Sequence, residues 1–374
     1  MLKLKTIDLC SGIGGTALGL RRFLKVVAYC EKDEDCATVL KTNMRRGRLD
    51  NAPIVRDVAN FPRDLEAVDC VVSSFPCQSV SALGQREGFA GKSGLFLEIM
   101  QIIRHYKPAI CFFENVDNIR HMTNEWRYVL AALHKAGYDS KWAMISACHV
   151  GAPHRRKRWF LLANLRTATY RCSGVPVCLK PASNRPWNHH TYEFRKNSAE
   201  PNLPRMVKIG NERIMRMCGN ICVPLQAHLA FSLLRHDGFF TEITEVKTPL
   251  NSMPASGMFV GGRLYEGTHV ALPEQKDYKL EFQQYYYNVA PKKRNVRQRN
   301  PILAGGSKRK HFASPRVCSA SWTPSSILTK RSIEDLATQI RFERGTKARE
   351  RQFRKINPEW VTWLVGIPKD YLVP

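Results

Sequence analysis

The chain predicts an α/β fold, a Rossmann-like domain joined to a smaller basic domain, on three observations. Residues 4–24 read as strand, glycine-rich turn and amphipathic helix. Apolar runs of strand length then alternate with helical periodicity as far as Ala163, and positive charge gathers in the later part. Residues 1–150 hold 20 Lys and Arg against 16 Asp and Glu, while residues 151–374 hold 38 against 16, within a formal net charge of +26. Such a division suggests catalysis in one part and polyanion binding in the other, the alternative being a solvated basic surface. With 374 residues there is room for two domains and a sizeable core. No run approaches the ~18 continuous apolar residues of a membrane span, and Met1 to Asp8 lacks a signal-peptide core, so an intracellular protein is expected. Twelve Cys without a repeating spacing suit free thiols in a reducing compartment. Pairs such as Cys172/Cys178 and Cys218/Cys222 do not match a zinc pattern, so no metal site is expected.

The first strand, residues 4–10, runs into Ser11-Gly12-Ile13-Gly14-Gly15 and a helix expected to carry Leu18, Leu20, Phe23 and Leu24. Glycines let a ligand approach the backbone, and the helix start offers free N–H groups. The next run, Val26 to Cys30, ends in Glu31, placed to accept hydrogen bonds from ribose hydroxyls. Gly12, Gly14 and Ala17 with Glu31 would suit an NAD enzyme equally well. Asp57 follows the short strand Ile54-Val55 and could meet an adenine amino group or simply cap a turn.

The run Val68 to Val72 stops at Ser73-Ser74 and turns into Phe75-Pro76-Cys77-Gln78. Cys77 should therefore stand at the carboxyl end of a buried strand, where open α/β sheets place their chemistry, with Pro76 stiffening the turn that aims the thiol. Cys77 is the candidate nucleophile; the plain alternative is a small buried hydrophobe. Residues 84–91, with several glycines, could close as a lid. A helix is expected over 94–106, then a fully buried strand Ile110 to Phe113 ending in Glu114. Partial desolvation there should raise the Glu114 pKa, so it could exchange a proton opposite the thiol or serve as a structural pair. A helix over 124–137 and strands over 141–147 and 159–163 follow. Arg155 to Arg158 precede the last strand, and basic groups at such a position need an anion or carbonyl waiting for them.

Taken together, Asp8-Leu9-Cys10-Ser11-Gly12-Ile13-Gly14-Gly15, Phe75-Pro76-Cys77-Gln78, Glu114-Asn115-Val116, Pro153 to Arg158 and Gly219-Asn220-Ile221-Cys222-Val223-Pro224 resemble, in order, the signature blocks of DNA (cytosine-5) methyltransferases. The resemblance implies a Rossmann-like S-adenosylmethionine-dependent methyltransferase domain plus a smaller basic target-recognition domain. By the same resemblance S-adenosylmethionine is expected along Asp8, Ser11, Gly12, Ile13, Gly14, Gly15, Glu31, Asp57, Pro76 and Asn220. It implies catalysis by Cys77, which adds to carbon 6 of a flipped cytosine, and by Glu114, which acts on ring nitrogen 3. The family pattern places at Arg158 the group expected to hold the ring carbonyl, with Arg156 as its support. Nothing in the sequence identifies the base that removes the carbon 5 proton. His154 stands where the family usually has Gln, which touches a structural hydrogen bond.

The expected division is 1–165 catalytic, 166–210 a short insertion, 211–238 a return segment packing on the catalytic domain, and 239–374 a basic recognition domain. Only 60 residues separate the Arg block from Gly219-Asn220, little for a whole recognition domain. Residues 257–265 read as a hairpin with a Gly261-Gly262 turn, and residues 253–257 with Gly262 and Tyr265, together with residues 356–368, resemble the extension of phage and large-DNA-virus members. Between them, Lys292 to Lys310 form a basic run preceded by Tyr285-Tyr286-Tyr287, suited to phosphates and bases or else a linker. Double-stranded DNA is the expected partner of a monomer, with a companion restriction endonuclease compatible. An RNA cytosine-5 methyltransferase is the rival, although the Cys-Phe-Thr segment of that branch is absent. A silent DNA-binding homologue is a second rival, opposed by intact Cys77, Glu114 and Arg158.

Overall fold

The computed structural model describes residues 2–76, 94–150, 152, 156–168, 206–207, 212–248, 250–269, 355–356, 361–362, 365–368 and 370–372. Cys77, the 84–91 loop, most of 166–210 and the basic run lie outside the described residues.

The core is a ten-stranded sheet in the order β3-β2-β1-β4-β5-β7-β6-β10-β11-β9. Its first five strands are parallel: β1 (Leu4–Leu9), β2 (Leu24–Cys30), β3 (Ile54–Val55), β4 (Cys70–Ser73) and β5 (Ile110–Val116). They are joined through α1 (Gly15–Leu20), α2 (Glu34–Arg45) and α3 (Gly94–Tyr106). β-Branched and aromatic runs form them because both faces are covered; β4 and the first six residues of β5 are buried throughout. Phe75, Phe96 and Phe113 interlock with ring centroids 5.2 to 6.3 Å apart, which fixes the end of β4 against α3 and β5.

After α4 (Thr123–Lys135) the chain turns antiparallel. β6 (Tyr138–Ile145) and β7 (Arg158–Leu165) extend the sheet, with β7 pairing both β5 and β6. β6 begins earlier than expected because Gly137 (φ 99°) ends the helix and lets Tyr138 enter the core directly. Helix α1 is shorter than expected. It stops at Leu20, and Leu24 already belongs to β2.

Helices α5 (Glu212–Asn220) and α6 (Pro224–Leu234) return to the sheet, α6 starting on a proline that needs no helical N–H partner. The stretch Arg216–Leu234 has the length and apolarity of a membrane span, yet 67% of it is buried inside the protein. Arg216 binds Asp33 at 2.9 Å, and an added Cβ on Gly15 would lie 2.6 Å from the Cys222 carbonyl, so this segment sits directly on the first turn of α1.

The expected boundary at 238/239 is not a break in the sheet. β9 (Phe240–Glu245), β10 (Ser256–Val260) and β11 (Arg263–His269) continue it, β10 pairing with β6 over Ser140 to Ala143. The β10–β11 hairpin turns on Gly261-Gly262 with φ of 57° and 81°, the two-residue turn read in the sequence. Further on, β12 (Lys355–Ile356) pairs with β8 (Met206–Val207), and Val361, Val365, Ile367, Tyr371 and Leu372 pack with Ile13, Val39, Met217 and Ile221. Phe239, Met253 and the residues from Val361 to Leu372 just named are buried in the core around the sheet.

Candidate active site

The register of the parallel strands gathers the expected residues. Leu9 pairs with Cys30 and with Ser73, Cys30 with Val55, and Ser73 with Phe113. The glycine turn after β1, Glu31 after β2, Asp57 after β3, the turn leading to Cys77 after β4, and Glu114 near the end of β5 thus share the carboxyl edge of one sheet. β1 lies where the connections change direction, the position at which such sheets open a crevice.

On β7, Arg158 pairs with Val116, so it is the diagonal neighbour of Glu114 on the same face. Its Nε lies 3.0 Å from Glu114 Oε1, with the two side chains only 5% and 8% exposed. Burial raises the Glu114 pKa, while Arg158, then Arg156 and the Ser74 hydroxyl, oppose the rise. Ser74 Oγ is also 3.2 Å from Thr16 Oγ1 in α1. A continuous polar path therefore runs from the helix behind the glycine turn, through Ser74, to the Glu114–Arg158 pair. Asn115 Nδ2 donates to the Phe75 carbonyl (2.9 Å), fixing the backbone two residues before Cys77.

Arg156 reaches the return segment. Its Nη2 donates to the carbonyls of Gly219 (2.8 Å) and Ile221, on either side of Asn220. The reason is local: a left-handed backbone at Arg156 (φ 27°) turns the fully buried side chain toward the return segment. Burial, then the neighbouring Arg158, pushes its pKa down to about 9. Gln226 Nε2 donates to the carbonyls of Ile145 (2.6 Å) and Arg156 (2.8 Å), bracing the same turn. Asn220 itself is exposed beside the glycine turn.

In the glycine turn, Glu31 accepts from the N–H groups of Gly12 (2.6 Å) and Asp33 (2.8 Å), which shapes the turn and leaves lone pairs for hydroxyl donors. Ser11 Oγ donates to the Asp8 carbonyl (2.7 Å). Asp8 is buried with Oδ2 lacking a hydrogen-bond partner; burial, then Glu31, pushes its carboxyl up to about 8. Asp57 Oδ1 accepts from the Ala59 N–H (3.1 Å), the capping role read as one of its two possibilities. Pro76 is exposed at the end of the described turn.

A sequence model of the family described as C-5 cytosine-specific DNA methylase matches residues 4–374. The chain belongs to that family. Among similar proteins, the Type II methyltransferase M.CviJI of Paramecium bursaria Chlorella virus IL3A is 28% identical over 99% of this chain and 98% of its own length. The Type II methyltransferase M.Bsp6I of Bacillus sp. (strain RFL6) is 30% identical over 46% of this chain and 56% of its own. A solved DNMT2 structure from Spodoptera frugiperda aligns with a TM-score of 0.41 at 16% identity, covering 57% of this chain and 64% of that one.

As a C-5 cytosine DNA methylase, the enzyme uses S-adenosylmethionine as methyl donor. The glycine turn fits such a group. A Cβ added to Gly12 would meet nothing within 4 Å, so open space lies before the turn, and the bare Asp8 Oδ2 lies in the strand that leads into it. Sequence reasoning missed Thr16, Gln226 and the link through Ser74; the Ser73-Ser74 pair closing an apolar strand was the available signal for the last of these.

Proposed function

We propose that this DNA cytosine-5 methyltransferase works through Cys77, Glu114 and Arg158, with Arg156 as a positioning residue. The observation that carries the assignment is the buried Glu114–Arg158 pair (3.0 Å), at the sheet edge to which the strand leading to Pro76-Cys77 also runs. When bound, S-adenosylmethionine supplies the electrophilic methyl group.

Glu114, whose pKa burial raises, hydrogen-bonds and passes a proton to ring nitrogen 3 of a cytosine taken out of the stack, making carbon 6 electrophilic. The Cys77 thiolate adds to carbon 6, and carbon 5 becomes nucleophilic. Arg158 holds the Glu114 carboxyl in place and brings its guanidinium to the ring carbonyl. Loss of the carbon 5 proton then lets Cys77 leave. Arg156, by gripping the carbonyls of Gly219 and Ile221, orients Asn220 toward the cofactor held along Asp8, Ser11 to Gly15, Glu31, Asp57 and Pro76.

Double-stranded DNA is the partner of a monomeric enzyme acting inside the cell. The basic residues of the 240–374 stretch supply phosphate contacts, and the match of the Chlorella virus relative over 99% of this chain supports reading the extension after Leu234 as one shared with large-DNA-virus members. Duplex DNA carrying 5-fluorocytosine should trap a covalent adduct that maps to Cys77, since the fluorine cannot leave as a proton does. Absence of an adduct under conditions that methylate ordinary DNA would remove Cys77 from this role.

A further inference from the structure

We propose that Tyr371 is a positioning residue for the cofactor cradle, its hydroxyl fixing the backbone of the Ser11–Gly15 turn so that donor affinity depends on a segment 358 residues away from Ile13. This rests on reading that turn as the site of S-adenosylmethionine.

Tyr371 is fully buried and its hydroxyl donates to the Ile13 carbonyl at 2.9 Å. Ile13 lies at the centre of the turn. The next residue, Gly14, has φ 84°, and a Cβ added there would lie 3.3 Å from the same hydroxyl. Tyr371 is thus the wall against which the turn rests, while Glu31 secures the Gly12 N–H. The wall is itself anchored. Asn43 Nδ2 donates to the Tyr371 carbonyl (2.8 Å), Arg48 Nη2 grips both oxygens of Asp370 (2.8 and 2.7 Å), and Arg46 Nη1 donates to the Asp370 carbonyl (2.7 Å). Asn43 and Arg48 belong to the α2 region, which follows Glu31 in sequence, so one network joins Tyr371 to the element leading away from the ribose side of the cradle.

A phenylalanine would fill the same volume and keep the apolar contacts with Ile13 and Val39. It would, however, leave the Ile13 carbonyl unpaired in a dry setting, and the peptide would be free to rotate away. That distinction separates holding the turn from merely packing behind it.

The test uses the full chain with Tyr371→Phe, Arg48→Ala and Glu31→Ala. S-adenosylhomocysteine binding and duplex DNA binding are each titrated, and amide exchange of residues 11–15 is followed without ligand. Tyr371→Phe should bind S-adenosylhomocysteine about five- to tenfold more weakly, the effect of one lost buried hydrogen bond. KM for S-adenosylmethionine should rise in step, while kcat and duplex affinity stay within about twofold of wild type and the Gly12 and Gly14 amides exchange faster. Arg48→Ala should shift the same quantities in the same direction by less. Wild-type nucleoside affinity in Tyr371→Phe beside a weakened Glu31→Ala would overturn the proposal and leave the cradle standing. Equal losses of nucleoside and duplex binding would overturn it too, as a general loss of structure. Unchanged affinity in Glu31→Ala would remove the cradle assignment and Tyr371's role with it.

Discussion

The two halves of the sheet are built on different terms. In the parallel half, β1 is buried at five of six positions and β4 at all four, helices cover both faces, and every strand ends at the same edge. In the antiparallel outer part, β9 is exposed at five of six positions and Ile243 is 49% exposed. A strand closed in on both sides can hold a charged group at its mouth in a fixed, partly dry place; a strand wetted on both sides cannot. Glu114 and Arg158 lie on the buried strands β5 and β7, at the junction where the parallel half meets the antiparallel one. Their pairing is a product of that junction, since a parallel neighbour would have put the amino end of the strand bearing Arg158 at the opposite edge.

The sharpest way to break the comparison is at the chemistry. Cys77→Ala should reduce methyl transfer to background while leaving duplex binding largely intact, measured by labelled methyl incorporation and by titration of DNA. Next in size, Arg158→Ala leaves Glu114 buried without its cation and should cost about 3–5 kcal/mol in denaturant unfolding, in addition to lost activity. Phe113→Ala, which opens the aromatic cluster of the parallel half, should cost about 3–5 kcal/mol. Ile243→Thr on the outer edge should stay within about 0.5 kcal/mol. Comparable losses for these two would erase the contrast between the halves.

A pH slope tests the buried edge of the parallel half in another way. Asp8 titrates near 8 in the folded chain against an ordinary value of 3.8, so the native protein holds a proton that the unfolded chain releases between those values. Its contribution is present in full below about pH 4 and is lost as pH rises toward 8. Asp8→Asn should flatten that decline across urea titrations at several pH values.

The parallel half was readable because its signals are local. Apolar runs such as Cys111-Phe112-Phe113, glycines after a strand, and Ser73-Ser74 closing another need no distant partner to be interpreted, and Ile110–Val116 and Gly94–Tyr106 fall where periodicity puts them. β9, Phe-Thr-Glu-Ile-Thr-Glu, has neither an apolar run nor a covered face, and it is a strand only because β11 pairs with it. Arg156 illustrates the same limit within the site. Its place in the basic block was clear, but its direction depends on a left-handed backbone that sequence pattern does not encode.

Composition and ordered motifs alone determined the α/β class, the glycine turn and the candidate nucleophile, because each depends on residues near one another in the chain. Tertiary structure alone decided that Arg158 meets Glu114 across an antiparallel junction, that Arg156 faces the return segment, and that Tyr371 reaches Ile13. Those contacts join residues whose separation in sequence carries no periodic signal, and only the packing of the finished core brings them within hydrogen-bonding distance.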